Sequence, residues 1–346
     1  MKKTLLSLAA TLSLGLALTS CGGGATPPAP VPPPVSDTTA PSVVSVTPSS
    51  GATGVSKDAN VVVTFSEPMN QASAQTAFQS ANLGASTFSW SADGTTMTVN
   101  PNADLDYSSS GKTYDYSVTT TATDKAGNAL SSSFAGNFKT FKRLTASLTA
   151  TVFGEIDNAQ TVLSTSADIK VGDQSNNSSR RGFVGFDLSS LPAGLAPANL
   201  EEARVKMYVN SPIVGSPFSK LFPPTTCTPF CLLVGKSVVL EHVYFGNTVA
   251  PSAYGINPLS SEVRGLTDDT PCTGPLLCLF QGTSTGWNSD SVLEWVRDDL
   301  TERSSRANKS QLRVRFPKDT NADNLADYLA ISTTSKPYLS VTYLIP

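Results

Sequence analysis

Apolar and polar residues alternate with a period of two in several short stretches of the chain. In Asn60–Phe65 the side chains of Val61, Val63 and Phe65 fall on one face, with Val62 and Thr64 on the other. Thr96–Asn100 repeats this with Met97 and Val99, and Thr113–Thr119 with Tyr114, Tyr116 and Val118. Further along, Ala203, Val205, Met207 and Val209 alternate with Arg204, Lys206 and Tyr208. Leu312, Val314 and Phe316 alternate with Arg313 and Arg315, and Tyr338–Leu344 reads as a closing strand behind Pro337. Such alternation predicts half-buried strands. Turn clusters at Pro48–Gly51, Ala92–Gly94, Ser108–Gly111 and Asp124–Asn128 separate the first group at sandwich-like intervals. One helix is predicted: Val292, Leu293, Val296 and Leu300 share a face, and Ser291-x-x-Glu294 has capping-box form.

Composition agrees with a β protein. Only 15% of the 346 residues are charged, so strong helix formers are scarce. A net charge of −3 gives no global attraction to nucleic acid, and a single histidine, His242, leaves little room for imidazole chemistry. The pattern divides the chain at about residue 141. Residues 41–141 form one β-sandwich, and 142–346 form a larger jelly-roll-like sandwich carrying one short amphipathic helix.

The N-terminus adds a compartment. Lys2 and Lys3 precede an apolar run, Leu5 to Leu18, that is too short for a membrane span. Leu18-Thr19-Ser20-Cys21 resembles the bacterial lipobox. The resemblance implies a signal peptide over 1–20, lipidation at Cys21 and a chain held at a membrane by its lipid. Gly22, where aspartate often marks inner-membrane retention, implies sorting to the outer membrane or cell surface in a two-membrane cell. Residues 21–40 are then a Gly/Pro-rich tether, extended at about 3.1 Å per residue where proline-rich.

Four more cysteines, Cys227, Cys231, Cys272 and Cys278, lie in Pro/Thr/Gly-rich stretches. In an exported protein an even number points to disulfides. Two local bridges are favoured over cross-pairing, and the spacings are not those of a zinc ribbon.

Two resemblances cover the two sandwiches. Pro48…Gly51-Ala52…Gly54-Val55, Val63-Thr64-Phe65-Ser66-Glu67-Pro68-Met69 and Thr123–Leu130 are similar to the bacterial Ig-like domain of surface-layer and secreted proteins. That implies a spacer or adhesion module without catalytic residues. Arg180-Arg181-Gly-Phe-Val-Gly-Phe186-Asp187-Leu188-Ser189-Ser190-Leu191-Pro192 resembles the signature of the DNRLRE-type domain, related to carbohydrate-binding module family 96. That implies glycan binding or surface adhesion.

Three constellations carry candidate chemistry. Asp319, Asn321, Asp323, the Leu325 carbonyl and Asp327 offer oxygens at alternate positions, like the first part of an EF-hand Ca²⁺ loop. Asn324 replaces the usual glycine and no glutamate closes the loop at Ala330, so a solvated turn is the alternative. Arg204, Lys206, Arg313 and Arg315 sit on polar strand faces, where a common strip would meet an acidic polysaccharide; a solvated sheet face is the alternative. Tyr208, Tyr244, Tyr254, Trp287 and Trp295 are available to stack on sugar rings or to fill a core. Gly282-Thr283-Ser284-Thr285-Gly286 matches the nucleophile-elbow pattern, but His242 lies upstream of Ser284, against the order that fold requires. His242 reads as a satisfied strand histidine on a face with Leu240 and Tyr244. The expectation is a non-enzymatic, lipid-anchored envelope protein that displays a module binding a polysaccharide or a surface protein. Oligomeric state is open.

Overall fold

Strand β1 (Val43–Thr47) pairs with β3 (Val61–Phe65), and across the first sandwich lies β2 (Ala52–Val55). The computed structural model describes residues 36–163, 168–221, 237–269 and 283–346. After β3 a short helix α1 (Gln71–Ala77) starts at Asn70, whose side chain accepts the Ser73 N–H. The remaining strands are β4 (Phe78–Gln79), β5 (Ser86–Trp90), β6 (Thr96–Pro101), β7 (Thr113–Val118) and β8 (Phe134–Thr140). Two four-stranded sheets result, β1-β3-β6-β5 and β2-β8-β7-β4. Between them lie Val61, Val63, Phe65, Met97, Val99, Tyr114, Tyr116 and Val118, all buried, as the alternation predicts. Trp90 joins this core and stacks on Phe65 at 6.1 Å.

The second core begins two residues after β8 ends. Strand β9 (Lys142–Asp157) is sixteen residues long. It is followed by β10 (Val162–Leu163), β11 (Ile169–Asp173), β12 (Ser179–Asp187) and β13 (Leu200–Val209). A one-turn helix α2 (Pro217–Lys220) precedes β14 (Val239–His242), β15 (Val263–Gly265), β16 (Thr267–Asp268) and β17 (Gly286–Ser291). Helix α3 (Leu293–Thr301), β18 (Lys309–Arg315), β19 (Asp327–Ile331) and β20 (Tyr338–Ile345) complete the chain. The N-terminal half of β9 pairs with β20, and its C-terminal half pairs with β12. Because β20-β13-β19-β11-β12 already forms a path, β9 closes it into a flattened ring. β17 and β16 extend one layer from β13, while β18, β14 and β15 extend the other from β12. Val184, Val205, Met207, Leu312, Val314 and Val341 fill the space between.

Helix α3 seals this core with Trp295, Val296 and Leu300, next to Val292 just before it. Its predicted capping box does not form. Ser291 is the last residue of β17, paired with Arg204, and the helix starts from Val292 with no side-chain cap. The ladder takes Ser291 first: the Val292 N–H donates to Ala203 O at 2.8 Å, so the chain is still strand-bound where the cap was expected. No helix among the described residues is long and apolar enough to cross a membrane.

Candidate functional site

In β13 the apolar residues face the core, which leaves Arg204, Lys206 and Tyr208 on the outer side. Register then decides their neighbours. Tyr208 lies opposite Trp287 of β17, and Lys206 lies between Ser289 of β17 and Tyr338 of β20. Three strands therefore bring Tyr208, Trp287 and Tyr338 into one group. Trp287 meets Tyr208 edge-to-face at 5.4 Å and Tyr338 at 5.3 Å. Edge-to-face pairs suit the ring quadrupole and contribute about 0.5–1.5 kcal/mol each beyond area burial. Trp287 still keeps 37% of its surface exposed.

A polar chain borders the aromatic group. Lys206 Nζ lies 2.6 Å from Asp269 Oδ2, Asp269 Oδ1 accepts from Ser289 Oγ at 2.5 Å, and Arg204 Nη2 donates to the same Oγ at 2.9 Å. The hydrogen bond to Asp269 raises the Lys206 ammonium above its ordinary pKa, against partial burial. Burial opposes the charge on Asp269, but Lys206 and Ser289 overcome it and hold the carboxyl below the usual range. Both groups are therefore ionised and matched at neutral pH.

The turn that delivers Trp287 is latched from within. Asn288 is fully buried; its Nδ2 donates to Ser284 O at 2.8 Å and Gly286 O at 2.9 Å, and its Oδ1 accepts from Ser284 N at 3.0 Å. Gly286 takes φ +104°, a region closed to most side chains. The Trp287 ring, held edge-on by Tyr208 and Tyr338 and bordered by hydrogen-bonding groups, offers one exposed face that suits the apolar face of a sugar ring, with the rim fixing orientation.

The four basic residues predicted as one strip do not converge. Arg313 and Arg315 stand on β18, in the other layer, and Arg313 is only 4% exposed. A small second core of Ile156, Phe183 and Ala253, backed by Phe245, Val249 and Tyr254, covers that face. Beneath it Arg313 Nε donates to Glu241 Oε2 at 2.6 Å and its Nη1 to Ile256 O at 2.7 Å, while Arg315 Nη2 donates to Glu241 Oε1 at 2.7 Å. Alternation identified a polar face; the segment folded over it turned that face inward.

The predicted cation loop is partly assembled. Asn321, Asp323 and Asp327 come together around Lys220, whose Nζ lies 3.0 Å from Asp323 Oδ2 and 3.1 Å from Asp327 Oδ2. Asp319 is turned away and paired with Arg181 at 2.8 Å. Leu325 is exposed, with its N–H donating to Asp323 Oδ1. Asn324 adopts φ +57°, the left-handed conformation for which glycine was expected.

His242 is buried, with Nε2 2.9 Å from Asp299 Oδ1 and its ring stacked on Trp295 at 5.6 Å. Asp298 and Asp299 both accept from Arg306 Nη1. Ser284 Oγ donates to Asp268 Oδ2 at 2.6 Å. Trp295 is core, and Tyr254 lies under the Arg181 guanidinium at 4.1 Å. Cys21, Cys227, Cys231, Cys272, Cys278 and Gly282 lie outside the described residues. Tyr338, Asp269 and Asn288 were not singled out from sequence. Only the strand register, which a single sequence does not reveal, places them beside Trp287.

Comparison with known proteins bears on the first sandwich. Residues 37–140 match the bacterial Ig-like domain. No curated protein matches the chain. Similar solved structures include domains 1–6 of the surface layer protein SbsC, with 17% identity, 52% of this chain covered and a TM-score of 0.23. This chain spans 29% of that structure's length. An L,D-transpeptidase from Mycobacterium smegmatis is 15% identical, over 43% of this chain and 76% of that one, with a TM-score of 0.23. The LD transpeptidase LdtMt1, solved with imipenem, is 16% identical over 54% of this chain and 69% of that one, with a TM-score of 0.22.

Proposed function

We propose that the chain is a non-enzymatic cell-envelope protein whose C-terminal sandwich binds a polysaccharide on the Tyr208–Trp287–Tyr338 face. The exposed Trp287 carries this reading: its ring is braced edge-to-face by the half-buried Tyr208 and Tyr338 and bordered by hydrogen-bonding groups. The Ig-like domain at 37–140 then serves as a spacer. The lipobox-like Cys21 and the Pro-rich stretch after it supply an anchor and tether, with the outer membrane or cell surface as location. Lys206 is neutralised by Asp269 and the four basic residues are dispersed, so the ligand is a glycan recognised by ring stacking, not by acidic charge.

The test is titration calorimetry of the full chain against a panel of soluble polysaccharides. Saturable binding that weakens about ten-fold or more (about 1.4 kcal/mol) in Trp287→Ala is expected, beside a fall of a few degrees in melting temperature from the two lost ring contacts. Absence of binding across the panel, or full affinity in Trp287→Ala, sinks the proposal and leaves adhesion to a surface protein as the remaining role.

A further inference from the structure

Strands β4 and β5 are edges of the two facing sheets of the first sandwich, and Phe78 of one meets Phe88 of the other at 6.2 Å. The two edges are finished differently. β4 ends at Gln79, and beyond it the Asn82 side chain takes over the edge of β7: Nδ2 donates to Thr113 O at 2.7 Å and Oδ1 accepts from Asp115 N at 3.2 Å. β5 pairs with β6 alone among the described residues. At the two ends of that ladder Ser91 N donates to Thr96 O and Asn102 N to Ala85 O. Bonded residues alternate along an antiparallel strand, so Ala85, Thr87, Ser89 and Ser91 bond towards β6, while the N–H and C=O groups of Ser86, Phe88 and Trp90 point out from the sheet edge. The opposite edge of this sheet, β1, is interrupted by a register shift between Val43 and Ser45. β5 has no such guard, and no proline, glycine or charge occurs from Ser86 to Ala92.

Space lies beside this open edge. A cavity of about 970 Å³ borders it, lined by Ser86 and Phe88 of β5, by Phe78 and Leu83, and by Asp115 and Ser117 of β7. A strand added to β5 satisfies its outward backbone groups and sets side chains against this cavity. A second β5 meets both demands. When two copies run antiparallel with Phe88 opposite Phe88, Ser86 falls opposite Trp90 and Trp90 opposite Ser86, so every outward-pointing residue finds another. Register partners share a face, which brings each copy's Phe88 beside the other's, next to Phe78 and Leu83. On the outer face Thr87 meets Ser89, and no charge confronts a like charge.

We infer that β5 is a self-association edge: two copies of the chain pair antiparallel about Phe88 and join their β1-β3-β6-β5 sheets into one, with a two-fold axis at the pairing. A second copy is singled out by the match of Ser86, Phe88 and Trp90 to themselves and by a rim that carries no charge to repel its own image. The contact is small. One five-residue strand from each copy falls short of the about 1,200–2,000 Å² of a standard interface, so the dimer is weak and concentration-dependent. The Trp287 face belongs to the other sandwich, so self-pairing stands or falls independently of glycan binding.

The experiment is sedimentation equilibrium of the full chain from micromolar concentration to about 1 mM. The parent protein is expected to pass from monomer to dimer across that range, with slower hydrogen exchange of the Ser86, Phe88 and Trp90 amides in the concentrated sample. Thr87→Lys/Ser89→Lys sets lysines opposite one another across the two-fold axis. Both side chains are exposed in the single chain, so the fold is kept while association weakens about ten-fold or more. Thr87→Glu/Ser89→Glu does the same with the opposite sign, and an equimolar mixture of the two variants associates again. A parent protein that stays monomeric at about 1 mM, a dimer that persists unchanged in the lysine variant, or a mixture that fails to associate overturns the assignment.

Discussion

Glu241 and Arg313 are direct cross-strand partners on β14 and β18, joined at 2.6 Å with both side chains almost wholly enclosed. Arg315 closes on the other carboxylate oxygen at 2.7 Å, so one glutamate answers two arginines. Burial opposes the charge on Glu241, yet the two guanidinium groups hold its carboxyl below the ordinary value. Replacing it by glutamine leaves Arg313 buried without a counter-ion. Glu241→Gln is expected to cost about 3–5 kcal/mol in urea unfolding at neutral pH.

The same pair has a pH signature. A carboxyl depressed in the folded state contributes stability above its ordinary value of 4.5, and that contribution fades as pH falls through its lower folded value. The stability gap between the parent protein and Glu241→Gln should be constant from neutral pH down to about pH 5, then narrow in more acid solution. A gap that stays constant to pH 2 contradicts this account.

His242 fastens helix α3 to β14 through Asp299 and by stacking on Trp295. Asp299 Oδ2 is already without a partner, so the carboxylate depends on His242 and Arg306. His242→Phe keeps the stacking but removes one charge-assisted donor. A loss of about 1–3 kcal/mol is expected, with faster hydrogen exchange confined to 293–301.

Asn288 supports the aromatic face without touching solvent. Asn288→Ala leaves the carbonyls of Ser284 and Gly286 unsatisfied and frees the turn. Stability should fall by about 1–3 kcal/mol. Polysaccharide affinity should fall as well, although Trp287 itself is intact. Faster exchange of the Ser284–Trp287 amides would show that the turn has opened.

Lys206 and Asp269 are each about a quarter exposed, and their pair is worth no more than about 1 kcal/mol after solvent screening. The raised lysine and depressed aspartate keep both charged across the neutral range. Lys206→Met should therefore cost the same small amount from pH 5 to 9, and less below pH 4 as Asp269 takes up its proton.

Much of the fold was legible because inward positions recur every second residue. Val61, Val63 and Phe65, and then Ala203, Val205, Met207 and Val209, lie where the alternation placed them. Legibility failed where a second layer or a second strand intervened. Arg313 alternates like a surface residue, yet the 243–262 segment covers it, and nothing local signals that cover. Ser291 has the chemistry of a cap but is held by the β13 ladder. Trp287 was visible as a stacking candidate; its partnership with Tyr338 depends on register with a strand some fifty residues later, which requires the folded sheet. Asp173, remote from the 319–327 pattern, meets its Thr320 and Asn321 only through the β11–β19 pairing.

Strand β9 leaves the Ig-like sandwich after Phe141 and at once forms eight consecutive pairs with β20, Lys142 opposite Ile345 through Thr149 opposite Tyr338. A pull delivered through the N-terminal sandwich and directed along this strand loads those pairs together, in shear. They cannot be opened one after another, as a ladder peeled from its end would be. Resistance at the junction between the two sandwiches therefore rests on those eight pairs acting together, and they belong to the same sheet that carries Trp287.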